Sequence, residues 1–141
     1  MIRRVTLADG TVTTIAGTGQ TSSTADDATG TAVDFYAPTA IARIGTDLYV
    51  NDSNHYLIRK IAVSGAYPVT TIAGDTNPGY ADHATGTSAR FAGDGGLTTD
   101  GTDLFFADRF NCTIRKITVA TGAVTTFAGA GPGTDGDLDC T

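Results

Sequence analysis

Asp52 and Asp108 stand 56 positions apart, and each closes a short apolar run, Leu48-Tyr49-Val50 in one case and Leu104-Phe105-Phe106 in the other. A polar turn follows each acid, with Asn54-His55 after the first and Asn111 after the second. Such groups can meet a ligand as acids and donors on one face. Alternatively, the carboxylates can accept backbone N–H bonds and fix the turn into the next strand. Recurrence of the same acid in successive units favours the structural role. Arg59, Lys60, Arg115 and Lys116 pose a similar choice between an anion-binding stripe and cations paired between packed strands. The pairing reading is preferred here too. Asp82-His83 adds one more acid and imidazole in a loop. Neither histidine has a serine or cysteine beside it in a nucleophile-like setting, so both are read as surface turn residues.

Asp135, Asp137 and Asp139 place carboxylates at every second residue, as a calcium loop begins. Cys140 stands where the glycine should follow and no glutamate lies downstream, so a solvated loop is the preferred reading. No cofactor is expected, calcium being the one candidate. Cys112 and Cys140 are too few for a disulfide framework, and their spacing from the histidines gives no zinc pattern. Asn111-Cys112-Thr113 formally matches a glycosylation acceptor.

Composition narrows the elements that must position these residues. All fifteen acids are Asp, with no Glu, and there are only two Lys among nine basic residues. Thr and Gly dominate instead, which favours strands and turns over helix interiors. A net charge of −6 disfavours binding to a phosphate backbone. No apolar run approaches the roughly twenty residues a membrane helix requires. The opening Met1-Ile2-Arg3-Arg4 has charge but no apolar stretch behind it, so it does not read as a signal peptide.

The order comes from repetition. Ile2-Arg3-Arg4-Val5 returns as Ile58-Arg59-Lys60-Ile61 and as Ile114-Arg115-Lys116-Ile117, at a period of 56. Thr13-Thr14-Ile15-Ala16-Gly17 returns as Thr70-Thr71-Ile72-Ala73-Gly74 and Thr125-Thr126-Phe127-Ala128-Gly129. A period of this size marks units that bury their apolar faces only by stacking. Within one unit, β-prone runs at 39–44, 48–50, 57–63 and 69–73 are separated by turn formers, which predicts a four-stranded antiparallel meander. A long Gly/Asp/Thr/Ala connector leads to the next. Four strands and a connector per unit is the plan of a β-propeller blade. The chain then reads as one all-β segment: a half blade at 2–16, blades at 39–73 and 95–128, and a connector-like tail at 129–141. It is expected to be incomplete as a propeller on its own.

These residues resemble the NHL-repeat family of the bacterial, often secreted, type. The resemblance rests on Phe35, Pro38, Ile41-Ala42, Leu48-Tyr49-Val50, Asp52, Ile58 to Ile61 and Val69 to Gly74. In the next copy it rests on Phe91, Gly96-Leu97, Leu104, Ala107-Asp108, Asn111, Ile114 to Ile117 and Val124 to Gly129. The copies depart from the pattern at Asn111-Cys112-Thr113, which replaces the Asn54-His55-Tyr56-Leu57 turn, and at Asp94 in place of Pro38. The resemblance implies a propeller whose turns and connectors share one face. A binding or scaffold module that displays Asp52, Asn54, His55, Asp82, His83, Asp108 and Asn111 is the leading expectation. Its counterpart would be a protein or a second copy, with no nucleic acid. The alternative is part of a propeller lyase or hydrolase with an axial metal site. The innermost runs, 39–44 and 97–100, offer only Arg43 and Asp100 for that role. Cys112 and Cys140 would lie on the same face, close enough for a disulfide, and would fit an extracellular setting.

Overall fold

The structure, a computed structural model, describes residues 1–132. Ten strands are present among them, in three antiparallel sheets. The first sheet pairs β1 (Ile2–Val5) with β2 (Val12–Ala16). The second runs β3 (Pro38–Ile44), β4 (Asp47–Asp52), β5 (Leu57–Ile61) and β6 (Val69–Ala73), neighbour to neighbour. The third repeats this order with β7 (Leu97–Thr99), β8 (Leu104–Asp108), β9 (Thr113–Ile117) and β10 (Val124–Ala128). The expected meander is therefore present twice, and its outer half once more.

Strand limits follow local chemistry. The third run of the second sheet ends at Ile61 rather than at the expected Val63. Ala62 N–H still donates to Pro68 O at 3.0 Å, but proline has no N–H to return the bond and the ladder stops. The register slips once beside the arginine of every sheet: between Ile2 and Arg3, between Ile58 and Arg59, and opposite Ile114-Arg115. A bulge at this point turns the strand and re-aims its side chain.

The sheets stack face to face. Ala16, Val33, Phe35, Val50, Ile61 and Val69 fill the space between the first and second sheets. Tyr49, Ile58 and Ala73 of the second sheet meet Phe91 of the connector and Leu104, Phe106, Ile117 and Val124 of the third sheet. Each connector includes one short 3₁₀ turn, Gly30–Ala32 or Gly86–Ser88. A Cβ on Gly86 would clash with Ile72 O and Gly122 O, and one on Gly30 would sit 2.5 Å from Ile15 O and 2.6 Å from Tyr67 O. Only glycine lets the connector backbone lie this near the closing strand. Among the described residues no helix is long and apolar enough to cross a membrane.

Candidate functional site

The turns after β4 and β8 and the connectors 17–34 and 74–90 lie together, fastened by one device used twice. Asp52 is fully buried. Its Oδ1 accepts the Tyr36 N–H at 2.7 Å, and its Oδ2 faces His55 Nδ1 at 2.9 Å and Arg59 Nη1 at 3.5 Å. Arg59, also fully buried, reaches out with Nη2 to Ala25 O at 3.0 Å and Asp26 Oδ1 at 3.2 Å, with its guanidinium 5.7 Å from the Phe35 ring. In the next unit Ala92 N–H donates to Asp108 Oδ1 at 3.0 Å, and Arg115 Nη1 donates to Asp108 Oδ2 at 3.0 Å. Arg115 Nη2 then holds Asp82 Oδ1 at 2.6 Å and Ala81 O at 2.7 Å, between the rings of Tyr80 and Phe91.

Each arginine is therefore a buried cation between one buried and one partly exposed aspartate. Burial pulls the Arg59 guanidinium down from its ordinary value, and Asp26 and Asp52 oppose that pull. Burial pushes the Asp82 carboxyl up, but donation from Thr126 N–H and Arg115 outweighs it and leaves the group below the usual carboxylate range. Lys60 and Lys116 pair with Asp47 at 2.6 Å and Asp103 at 2.9 Å. The four cations singled out in the sequence are thus paired, and Asp52 and Asp108 are turned inward, their oxygens already occupied.

His55 departs from expectation. It is 9% exposed rather than a surface residue, because its ring bridges two acceptors, Asp52 Oδ2 and Thr21 O at 3.0 Å. Asn111 occupies the same place in the next unit and makes the same bridge. Its amide nitrogen donates to Asp108 Oδ2 at 2.8 Å and to Gly79 O at 2.7 Å. An amide with two N–H donors can make the same bridge. His55→Asn is therefore expected to hold the connector, whereas His55→Ala, which leaves Asp52 and Thr21 O without it, should lower the free energy of unfolding by about 1–3 kcal/mol and speed amide exchange in residues 17–34. Equal stability of the two variants in urea would refute the bridge.

The other candidates stay outside. Asn54 and His83 are exposed, and His83 Nδ1 faces the backbone of Thr85 two positions on, 2.9 Å from its N and 3.0 Å from its O. Asp135, Asp137, Asp139 and Cys140 fall outside the described residues, and with them the expected disulfide between Cys140 and Cys112. No group of three metal-ligating side chains forms among the described residues. Sequence reading missed the Asp34 cluster, in which a buried carboxylate accepts from the Thr18 hydroxyl and from Ser23 N–H at 3.0 Å. The repeat gave no signal there, since Arg90 holds the matching position. It also missed Asn51, whose amide ties the sheets together by donating to Gly93 O at 3.0 Å and Gly95 O at 3.3 Å. Beside these polar groups the loop face also exposes three aromatic side chains, Tyr36, Tyr80 and Phe110, the last 61% exposed under the Arg109 guanidinium.

The fold and its braces define a class: an all-β protein of stacked antiparallel sheets whose loops are held by buried Asp–Arg–Asp sets. A crystal structure of a structural genomics protein of unknown function from Bacteroides thetaiotaomicron VPI-5482 shares this fold at a TM-score of 0.63, with 23% identity. The likeness covers 92% of this chain and 30% of that one, so the chain spans about a third of its neighbour's length. No family model and no curated protein matches the sequence.

Proposed function

We propose that this chain is a segment of an NHL-type β-propeller and acts as a non-catalytic binding or scaffold module, extracellular in setting. One observation carries the reading. The repeated carboxylates Asp52 and Asp108 are buried and committed to arginines, while exposed aromatics stand among the polar residues of the braced loops. Rigid loops bearing aromatic side chains suit recognition, because little entropy is lost when they are covered. The innermost strands support the same view. Arg43 donates to Gly45 O at 2.7 Å, and Asp100 accepts from Asp103 N–H at 2.8 Å.

The test pairs turnover with binding. The purified chain is expected to show no ester or lyase turnover and no stoichiometric metal at residues 39–44 or 97–100. Panels of immobilised peptides and glycans should yield a ligand whose capture falls at least tenfold on Phe110→Ser, with the circular dichroism unchanged. Stoichiometric metal on the inner strands, or turnover, would overturn the proposal. The extracellular setting has its own measurement, since a non-reduced digest is expected to yield one peptide pair joined through Cys112 and Cys140. Two separate thiol peptides would remove that argument.

A further inference from the structure

Among the described residues an aspartate precedes a glycine at Asp9-Gly10, Asp94-Gly95 and Asp100-Gly101. In such a step no side chain on the glycine keeps its amide nitrogen from the preceding carboxyl carbon, and the two can meet. The structure restrains two of the three. Gly10 N–H donates to Thr6 O at 2.8 Å, while Asp9 Oδ1 accepts from Thr11 N–H at 2.9 Å. Gly101 N–H donates to Thr99 Oγ1 at 2.9 Å, while Asp100 Oδ1 accepts from the Thr102 and Asp103 amides at 2.9 and 2.8 Å. Both groups must leave their partners before they can react with each other. Asp94-Gly95 is looser on both counts. Gly95 lies outside any strand, and its N–H has no hydrogen-bond partner among the described residues. The Asp94 side chain is 44% exposed, and its carboxylate meets only Arg109 Nη1, at 3.5 Å.

We infer that Asp94 is a site of spontaneous covalent modification, at which aspartate converts to isoaspartate through a succinimide shared with Gly95. The Gly95 nitrogen bonds to Asp94 Cγ, and its proton leaves as water together with the hydroxyl of the protonated carboxyl. Water then opens the five-membered ring. Attack at Cγ breaks the new bond and restores aspartate. Attack at the main-chain carbonyl carbon breaks the original peptide bond and leaves the chain running through Cβ. Nothing is oxidised or reduced, and water is the one co-reactant.

The site sits where such a change is felt. Asn51 of the second sheet donates across to Gly93 O at 3.0 Å and Gly95 O at 3.3 Å. Gly95 lies so near Ala107 O that not even a Cβ would fit. A backbone lengthened by one carbon cannot keep both carbonyls under the Asn51 amide, so the tie between the sheets loosens. The inference stands on local geometry and not on the binding role proposed above, so either can fail without the other.

The test ages the purified chain at neutral pH, digests it, and scores each peptide for isoaspartate by methyl transfer from S-adenosylmethionine with an isoaspartyl methyltransferase. Isoaspartate is expected at position 94 about ten times faster than at 9 or 100, the factor one intact hydrogen bond imposes. In urea, where those bonds are gone, the three positions should react at similar rates. Asp94→Glu keeps the charge but would have to close a six-membered ring, and it should abolish the signal from that peptide. The Ala107 amide, which donates to Gly96 O at 2.9 Å, is expected to exchange faster in the aged protein and not in aged Asp94→Glu. No isoaspartate at 94, equal rates at the three positions in the folded chain, or the same preference in urea would each overturn the proposal.

Discussion

Arg115→Met is expected to lower the free energy of unfolding by about 3–5 kcal/mol, read as a shift of the urea midpoint at unchanged slope. Methionine fills much of the same space, so the loss is electrostatic. Asp108 would stay buried with the Ala92 N–H and the Asn111 amide but without its cation. The connector would also lose its hold at Ala81 O and Asp82. Adding Asp108→Asn should recover part of the loss, because a neutral amide tolerates the site where a lone carboxylate does not. The exposed pair Arg109–Asp94, at 3.5 Å, sets the contrast. Arg109→Met should change stability by less than about 1 kcal/mol. A small effect at Arg115, matching that at Arg109, would mean the buried set is not a brace.

Phe106→Ala should cost a similar amount, about 3–5 kcal/mol, by a different route. Phe106 is fully buried between the second and third sheets, edge-on to Phe91 at 5.3 Å and 80°. Removing it deletes apolar burial and an aromatic pair, and leaves a cavity that the flanking strands cannot close, since Tyr49, Leu104 and Ile117 are held by their own ladders. The expected signature is a loss of cooperativity, with the third sheet exchanging its amides before the second. Phe127, 63% exposed on the outer face of the third sheet, is the control, and Phe127→Ala should be close to neutral. Equal losses at the two positions would place the core elsewhere.

The strands were legible because each carries two signals at once, an alternating apolar pattern and a copy of itself 56 residues away. Hence the four strands of each unit sit within a residue or two of where composition placed them, apart from the Pro68 effect on β5. The pairing of Arg59 and Arg115 was likewise legible, since a cation flanked by isoleucines in a repeated strand has few fates other than burial with an acid. Burial of His55 was not. Its turn looks polar, and nothing in Ser53-Asn54-His55 reveals that Thr21, thirty-four positions earlier, folds back over the ring. Only comparison with Asn111 exposes the logic, because both side chains bridge a buried aspartate to a backbone carbonyl of the connector although their types differ. Asp34 escaped for the opposite reason: it has no counterpart, so a reading built on recurrence could not see it.

The reach of the arginines also governs the order in which the chain can become whole during its synthesis. Arg59 and Arg115 each grip an aspartate 33 residues earlier. At ribosomal speeds of about 5–20 residues per second, the connector emerges some 2–7 seconds before the cation that will fasten it. For that interval the connector has only bonds within itself and to the strand before it, such as those of Asp34, and two of the four strands it introduces are already out. Each unit is therefore expected to close late, when its third strand leaves the tunnel, and the nascent protein to gain its braces in two steps, one per period.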